Sequence, residues 1–172
     1  LSPQVTDRQD REIYAIIAMG TNQPSVAGGS EATILAALEK ISQGGYMPIN
    51  VSNFYETPSF PKNSGPDYVN AAVAVTCETD PETLLEFLHD VEASFGRVRD
   101  KRWSARTLDL DLLAMGDAIL PNRAEFDRWF NLPMAQQTVL APEHLILPHP
   151  RLHERAFVLV PMADIANDWM HP

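Results

Sequence analysis

Asp109 and Asp111 stand two residues apart in the run Leu108–Leu113, and five cations precede them: Arg97, Arg99, Lys101, Arg102 and Arg106. Side chains alternate along a strand, so acids at i and i+2 share a face. Paired carboxylates with open positions suit Mg²⁺, which takes oxygen ligands and keeps waters or substrate phosphates. Guanidinium groups match phosphate oxygens. Acids for metal beside cations for phosphate are the parts used in phosphoryl or nucleotidyl transfer. An Asp-x-Asp pair alone is weak, since acids on a surface strand also guard a sheet edge against pairing. Here Leu108, Leu110 and Leu112 turn the opposite face of the strand into the core, and the basic run comes directly before it.

The elements that must position these residues can be read along the chain. Residues 1–11 are polar and are expected to be a flexible arm. Glu12–Met19 reads as a buried strand, and Gly20-Thr21-Asn22 as a tight turn. Ser30 is a plausible N-cap for a helix carrying Ile34, Leu35, Leu38 and Ile41, which Gly44-Gly45 closes. Ile49–Tyr55 reads as a second strand, followed by a Pro-broken loop, and Asn70–Glu78 as a third strand. Asp80-Pro81 is an N-cap with Pro at the first helical position, and Gly96 ends that helix. Leu108–Met115 is the fourth strand. The order β-α-β-β-α-β predicts an α+β fold with a ferredoxin-like βαββαβ core, an antiparallel sheet and a C-terminal extension. Residues 121–142 read as an extended insertion. Phe126, Trp129 and Phe130 within it predict a short docked helix. One domain is expected over 1–172.

Bulk properties agree with a small anionic ligand. The chain has 172 residues, 45% hydrophobic and 21% charged, with a formal net charge of −10. That balance argues against a nucleic-acid or membrane-surface binder. Five of the 13 Lys and Arg residues nevertheless fall between 97 and 106. Cys77 is the single cysteine, so no internal disulfide is possible and a packing role is expected. No run reaches the roughly 18 apolar residues of a membrane span, and no signal peptide is evident. A cytoplasmic monomer is expected. The chain begins at Leu1 rather than Met, which points to a trimmed start.

The segment GRVRDKRWSARTLDLDLL resembles the signature of the 6-hydroxymethyl-7,8-dihydropterin pyrophosphokinases. Gly20-Thr21-Asn22, SNFYETPSF, PDYVNAAVAV and LPHPRLHERAFVLVP agree with that family in the same order, so the resemblance covers roughly residues 13–166. It implies transfer of the β,γ-diphosphoryl unit of ATP to a pterin hydroxymethyl oxygen, with release of AMP and with two Mg²⁺ ions. By resemblance, Asp109 and Asp111 hold the metals. Arg97 and Arg106 face the phosphates, and Arg106 acts in the transition state. Arg99, Lys101 and Arg102 lie on a loop closing over ATP. Leu85 and Leu112 flank adenine; His89, Glu92, His149 and Arg155 contribute polar groups to the nucleotide. For the pterin, Trp103 and Phe157 sandwich the ring and Asn70 reads its edge. Thr57, Pro58, Phe60 and Tyr68 line the pocket. His144 and Ile146 stand where some relatives carry arginine and threonine near the nucleotide.

Three other classes share parts of this pattern. Nucleotidyl cyclases and polymerase palms also pair acids on a ferredoxin-like sheet, but have no use for the pterin-type aromatic and asparagine positions. A non-catalytic binding module predicts loss of the acids or arginines, and all are present. An RNA-binding domain of this topology needs sheet-face aromatics and basic charge. The histidines have no metal-ligand spacing with Cys77, which argues against zinc. Gly20-Thr21-Asn22 lacks the Lys-Ser/Thr ending of a P-loop.

Overall fold

The computed structural model describes residues 14–59, 65–96, 107–137 and 139–172. In chain order the elements are β1 (Tyr14–Thr21), α1 (Ser30–Gln43), β2 (Pro48–Val51), β3 (Tyr55–Thr57), β4 (Tyr68–Thr76), α2 (Pro81–Ser94) and β5 (Asp109–Met115). After these come α3 (Arg123–Phe130), α4 (Met134–Gln137), a 3₁₀ turn (Leu152–Glu154) and α5 (Ala156–Ile165). The sheet runs β2-β4-β1-β5, with β3 also on β4, and every pairing is antiparallel. This is the ferredoxin-like order that the sequence predicts, with one strand divided.

That division is the first departure from the sequence reading. Ile49–Tyr55 is not one strand but two, because Ser52 breaks the ladder between them. Its N–H donates to Ala72 O (2.9 Å), while its hydroxyl accepts from Ala72 N–H (2.9 Å) and donates to Asn53 O (2.7 Å). A hydroxyl that bonds nearby backbone competes with regular pairing. The second departure is at α1, where Gly29 rather than Ser30 is the N-cap and no side chain caps the helix. Its closing glycines behave as expected: Gly45 has φ +94°, and a Cβ on Gly44 would collide with the Phe87 ring. In α2 the Asp80 carboxylate accepts from Thr83 N–H (2.8 Å) with Pro81 following, as the sequence predicts.

Alternation divides β1, β4 and β5 between two faces. Ile17, Met19, Val73, Val75, Leu110 and Leu112 pack against Ile34, Leu38 and Ile41 of α1 and Leu84, Leu88 and Val91 of α2. Fully burying one such side chain contributes about 1.5–3 kcal/mol. On the other face, Ile16, Leu113 and Ala114 meet Val158 and Met162 of α5. The helix α5 covers this second face only in part. Among the described residues, Asp109 and Asp111 lie beyond the part that α5 covers.

Candidate active site

In β5 the odd-numbered Asp109 and Asp111 are half-buried, while Leu110 and Leu112 between and beyond them are 2% and 3% exposed. The strand is held from below. Glu92 of α2, 1% exposed, accepts a hydrogen bond from Leu110 N–H (2.7 Å), between the two acids. A buried carboxylate needs such a partner.

Register explains what lies beside the acids. Gly20 of β1 pairs with Asp109 on one side and with Asn70 of β4 on the other; Ala18 likewise sits between Asp111 and Ala72. Residues directly opposite each other in an antiparallel pair share a face. The row Asn70–Gly20–Asp109 therefore places an amide and a carboxylate two strand spacings apart, roughly 10 Å, with only a glycine between. Here the sequence reading needs correction: Gly20 and Thr21 belong to β1 and are not a turn. The glycine keeps the floor between Asn70 and Asp109 low. Asn70, 5% exposed, donates from Nδ2 to Thr57 Oγ1 (2.8 Å). Thr57 in turn pairs with Tyr68, which puts Thr57, Tyr68 and Asn70 on one face.

Near Asp111 the chain comes back twice. β5 is irregular opposite Ile16 and Ile17, and the freed Leu113 carbonyl accepts from His149 N–H (2.7 Å). A bulge of this kind re-aims the chain beside a site. The imidazole of His149 is half-buried, and its Nδ1 accepts from Arg151 N–H (3.1 Å), which leaves the ring proton on Nε2. Burial pushes the His149 pKa below its usual range; the Asp111 charge raises it, and the Arg155 and Arg151 charges lower it further. Arg155 Nη1 reaches Asp111 Oδ2 at 3.3 Å, and its guanidinium lies 5.8 Å from the Phe157 ring. A cleft of about 430 Å³ opens beside this cluster, within the size range of ligand sites. His149, Arg151 and Arg155 line it together with Leu85 of α2, with residues of the 121–142 insertion and with residues 143–146 that follow it.

The family model for 7,8-dihydro-6-hydroxymethylpterin-pyrophosphokinase matches residues 16–167. The chain belongs to this family. Among curated relatives it is 35% identical over 161 residues to the Haemophilus influenzae 2-amino-4-hydroxy-6-hydroxymethyldihydropteridine pyrophosphokinase, covering 93% of this chain and 86% of that one. It is 34% identical over 155 residues to the Methylorubrum extorquens protein of the same name, covering 90% and 83%. Among solved structures, Plasmodium falciparum HPPK-DHPS with SDX-DHP superposes with a TM-score of 0.58 at 15% identity. That match covers 92% of this chain and 42% of the other, and at that identity it speaks for the fold alone.

For a pyrophosphokinase family member, the structure brings together Asp109, Asp111, His149 and Arg155, and on the same face of the sheet Asn70, Thr57 and Tyr68. Leu85 is half-buried in the cleft wall, and Phe157 is 44% exposed at the start of α5. Pro58 is exposed next to Thr57, and His89 is half-buried on α2. Leu112 lies in the core between sheet and helices, and Glu92 beneath the acid strand. Both side chains are buried and neither lines the cleft. Arg97, Arg99, Lys101, Arg102, Trp103, Arg106 and Phe60 lie outside the described residues, as does the 1–11 arm. Sequence reasoning missed Arg151 and Trp129, which also line the cleft, and Asp164 of α5. Asp164 Oδ2 accepts from Asn53 N–H (3.0 Å), Asn53 Nδ2 (3.1 Å) and Tyr55 Oη (2.8 Å), tying α5 to the β2–β3 segment. Pro-His-Pro-Arg could have suggested Arg151; contacts spanning more than a hundred residues leave no local signal for Asp164.

Proposed function

We propose that this chain transfers the diphosphoryl group of ATP to the hydroxymethyl group of 6-hydroxymethyl-7,8-dihydropterin and releases AMP, a step in folate biosynthesis. The observation that carries the reading is the Asn70–Gly20–Asp109 row. A polar-edged ring held by Asn70 can extend its hydroxymethyl arm across the bare glycine toward phosphate gathered at the acids.

The donor set fits Mg²⁺: two carboxylates on one half-open face, with a cationic cleft adjoining. Asp109 and Asp111 would hold two such ions, which when bound neutralise triphosphate charge. The chain's own residues do the rest. The Asn70 amide and Thr57 orient the pterin so that its hydroxyl oxygen faces the β-phosphorus. His149 presents an Nε2–H donor and Arg155 a guanidinium to phosphate oxygens, in a partly dehydrated cleft where such bonds count for more than in water. Arg97 and Arg106 are assigned to the phosphates by the family resemblance. As the hydroxyl oxygen bonds to the β-phosphorus, the bond from that phosphorus to the oxygen bridging the α-phosphate breaks. AMP leaves and the alcohol proton passes to solvent. Alignment and charge neutralisation supply most of the acceleration, since the alcohol is a weak nucleophile.

The test is product analysis with ATP, Mg²⁺ and the hydroxymethyl pterin. One AMP should form for each pterin diphosphate. ADP, or no nucleotide product, would reject the reading.

A further inference from the structure

The excursion between β5 and the Pro-His-Pro segment has no part in the chemistry above, yet it walls the same cleft. Its two ends are clamped together: Leu120 and Leu147 exchange backbone hydrogen bonds of 2.9 and 3.3 Å. Asn122 caps α3 through Glu125 N–H (3.0 Å), and Phe126, 2% exposed, anchors the helix. Phe126 meets the His171 ring at 5.6 Å, and Phe130 stacks on His153 at 4.2 Å. With one side of α3 fixed to the C-terminal segment, Trp129 is left to line the cleft. Glu125 Oε1 holds its indole N–H at 3.0 Å. Leu140 and Pro142 continue this wall, and Leu85 of α2 contributes to the lining.

We propose that Trp129, flanked by Leu140 and Pro142, is the surface on which the adenine ring of ATP rests, which makes the excursion a nucleotide-affinity element. The inference rests on the nucleotide reading of the cleft given under Proposed function. Arg155 both lines the cleft and touches Asp111, so the cationic part of the cleft abuts the acids. That part takes phosphate. The apolar part is left for a flat, weakly polar ring, and an indole face suits a purine. Asn70, Thr57 and Tyr68, assigned to the pterin by the family resemblance, do not line this cleft.

The test is calorimetric binding of a nonhydrolysable ATP analogue with Mg²⁺ to wild type, Trp129→Ala, Trp129→Phe and Arg155→Ala, with pterin binding measured in parallel. Trp129→Ala should weaken the analogue about tenfold, Trp129→Phe should restore most of it, and pterin affinity should stay at the wild-type value. Unchanged analogue binding in Trp129→Ala, with a clear loss in Arg155→Ala, overturns the wall and leaves the cleft standing. Unchanged binding in both overturns the nucleotide reading as well. Should Trp129→Ala fail to fold, photolabelling of wild type with 2-azido-ATP decides: label in peptide 122–142 supports the wall, and label only elsewhere rejects it.

Discussion

The two faces of the sheet are made from the same strands and serve opposite ends. The face under α1 and α2 is filled by large aliphatics such as Ile17, Val73, Leu88 and Leu110, all nearly or fully buried. On the other face, β1 and β4 carry Ala18, Gly20, Ala72 and Ala74, and α5 covers only part of it. One face gains its stability from volume; on the other, missing volume makes room for the proposed site. Glu92 reaches up from α2 on the core side and accepts the Leu110 N–H of the edge strand β5, which holds the backbone between Asp109 and Asp111. On the proposed assignment, the chemistry is held by a hydrogen bond one residue away.

Substitutions on each face should separate these roles. The largest effect on turnover is expected from Asp111→Ala. AMP formation should fall by at least about a hundredfold, with little change in thermal midpoint, since this side chain is a third exposed. A collapse of stability instead would mean that the open face also carries the fold. Leu88→Ala, on the buried face, should do the reverse. It should cost about 2–5 kcal/mol in denaturant unfolding and leave turnover per folded molecule near wild type. Asn70→Ala comes next: the KM for pterin should rise roughly tenfold, as for loss of one or two buried hydrogen bonds, while the KM for ATP holds. Equal rises in both would place Asn70 outside the pterin pocket.

The smallest effect belongs to the Asp164 latch, which is exposed. Hydrogen bonds from Tyr55 and Asn53 hold the Asp164 carboxyl below its usual pKa, and the bond to Asp164 holds the Tyr55 phenol above its own. A lowered acid contributes stability above its unfolded value of 3.8 and loses it as pH falls through the folded value. A raised phenol contributes below its unfolded value of 10.0 and loses that as pH climbs through the folded value. Asp164→Asn should therefore flatten the acid limb of the stability–pH curve relative to wild type. Thermal melts from pH 5 downward check this; parallel curves would show that the latch is not linked to folding.

What the sequence reveals follows the same division. Buried elements have a period: Leu84, Leu88 and Val91, or Leu108, Leu110 and Leu112, announce a helix stripe and a strand face. The cap at Asp80-Pro81 is local chemistry, so it is legible too. Asp109 and Asp111 are legible because the strand's own alternation puts them together. The Asn70–Gly20–Asp109 row is not, because it needs the pairing register of three strands distant in the chain. Gly20-Thr21-Asn22 reads as a turn, since glycine in a strand has no pattern until its neighbours across the sheet are known. The break at Ser52 turns on one hydroxyl choosing Ala72, and the gap between β2 and β3 cannot be told from a continuous strand by composition. The docking of 121–142 through Phe126 could be anticipated; that its other side faces the cleft could not.

The most direct measurement of the central claim is titration of Mn²⁺, followed by electron paramagnetic resonance, into protein saturated with a nonhydrolysable ATP analogue and pterin. Wild type should bind two ions in excess of those held by free nucleotide. Asp109→Asn and Asp111→Asn should each lose tight binding while keeping the wild-type melting curve. Two ions bound with unchanged affinity in both variants would contradict the assignment of the open face as the catalytic one.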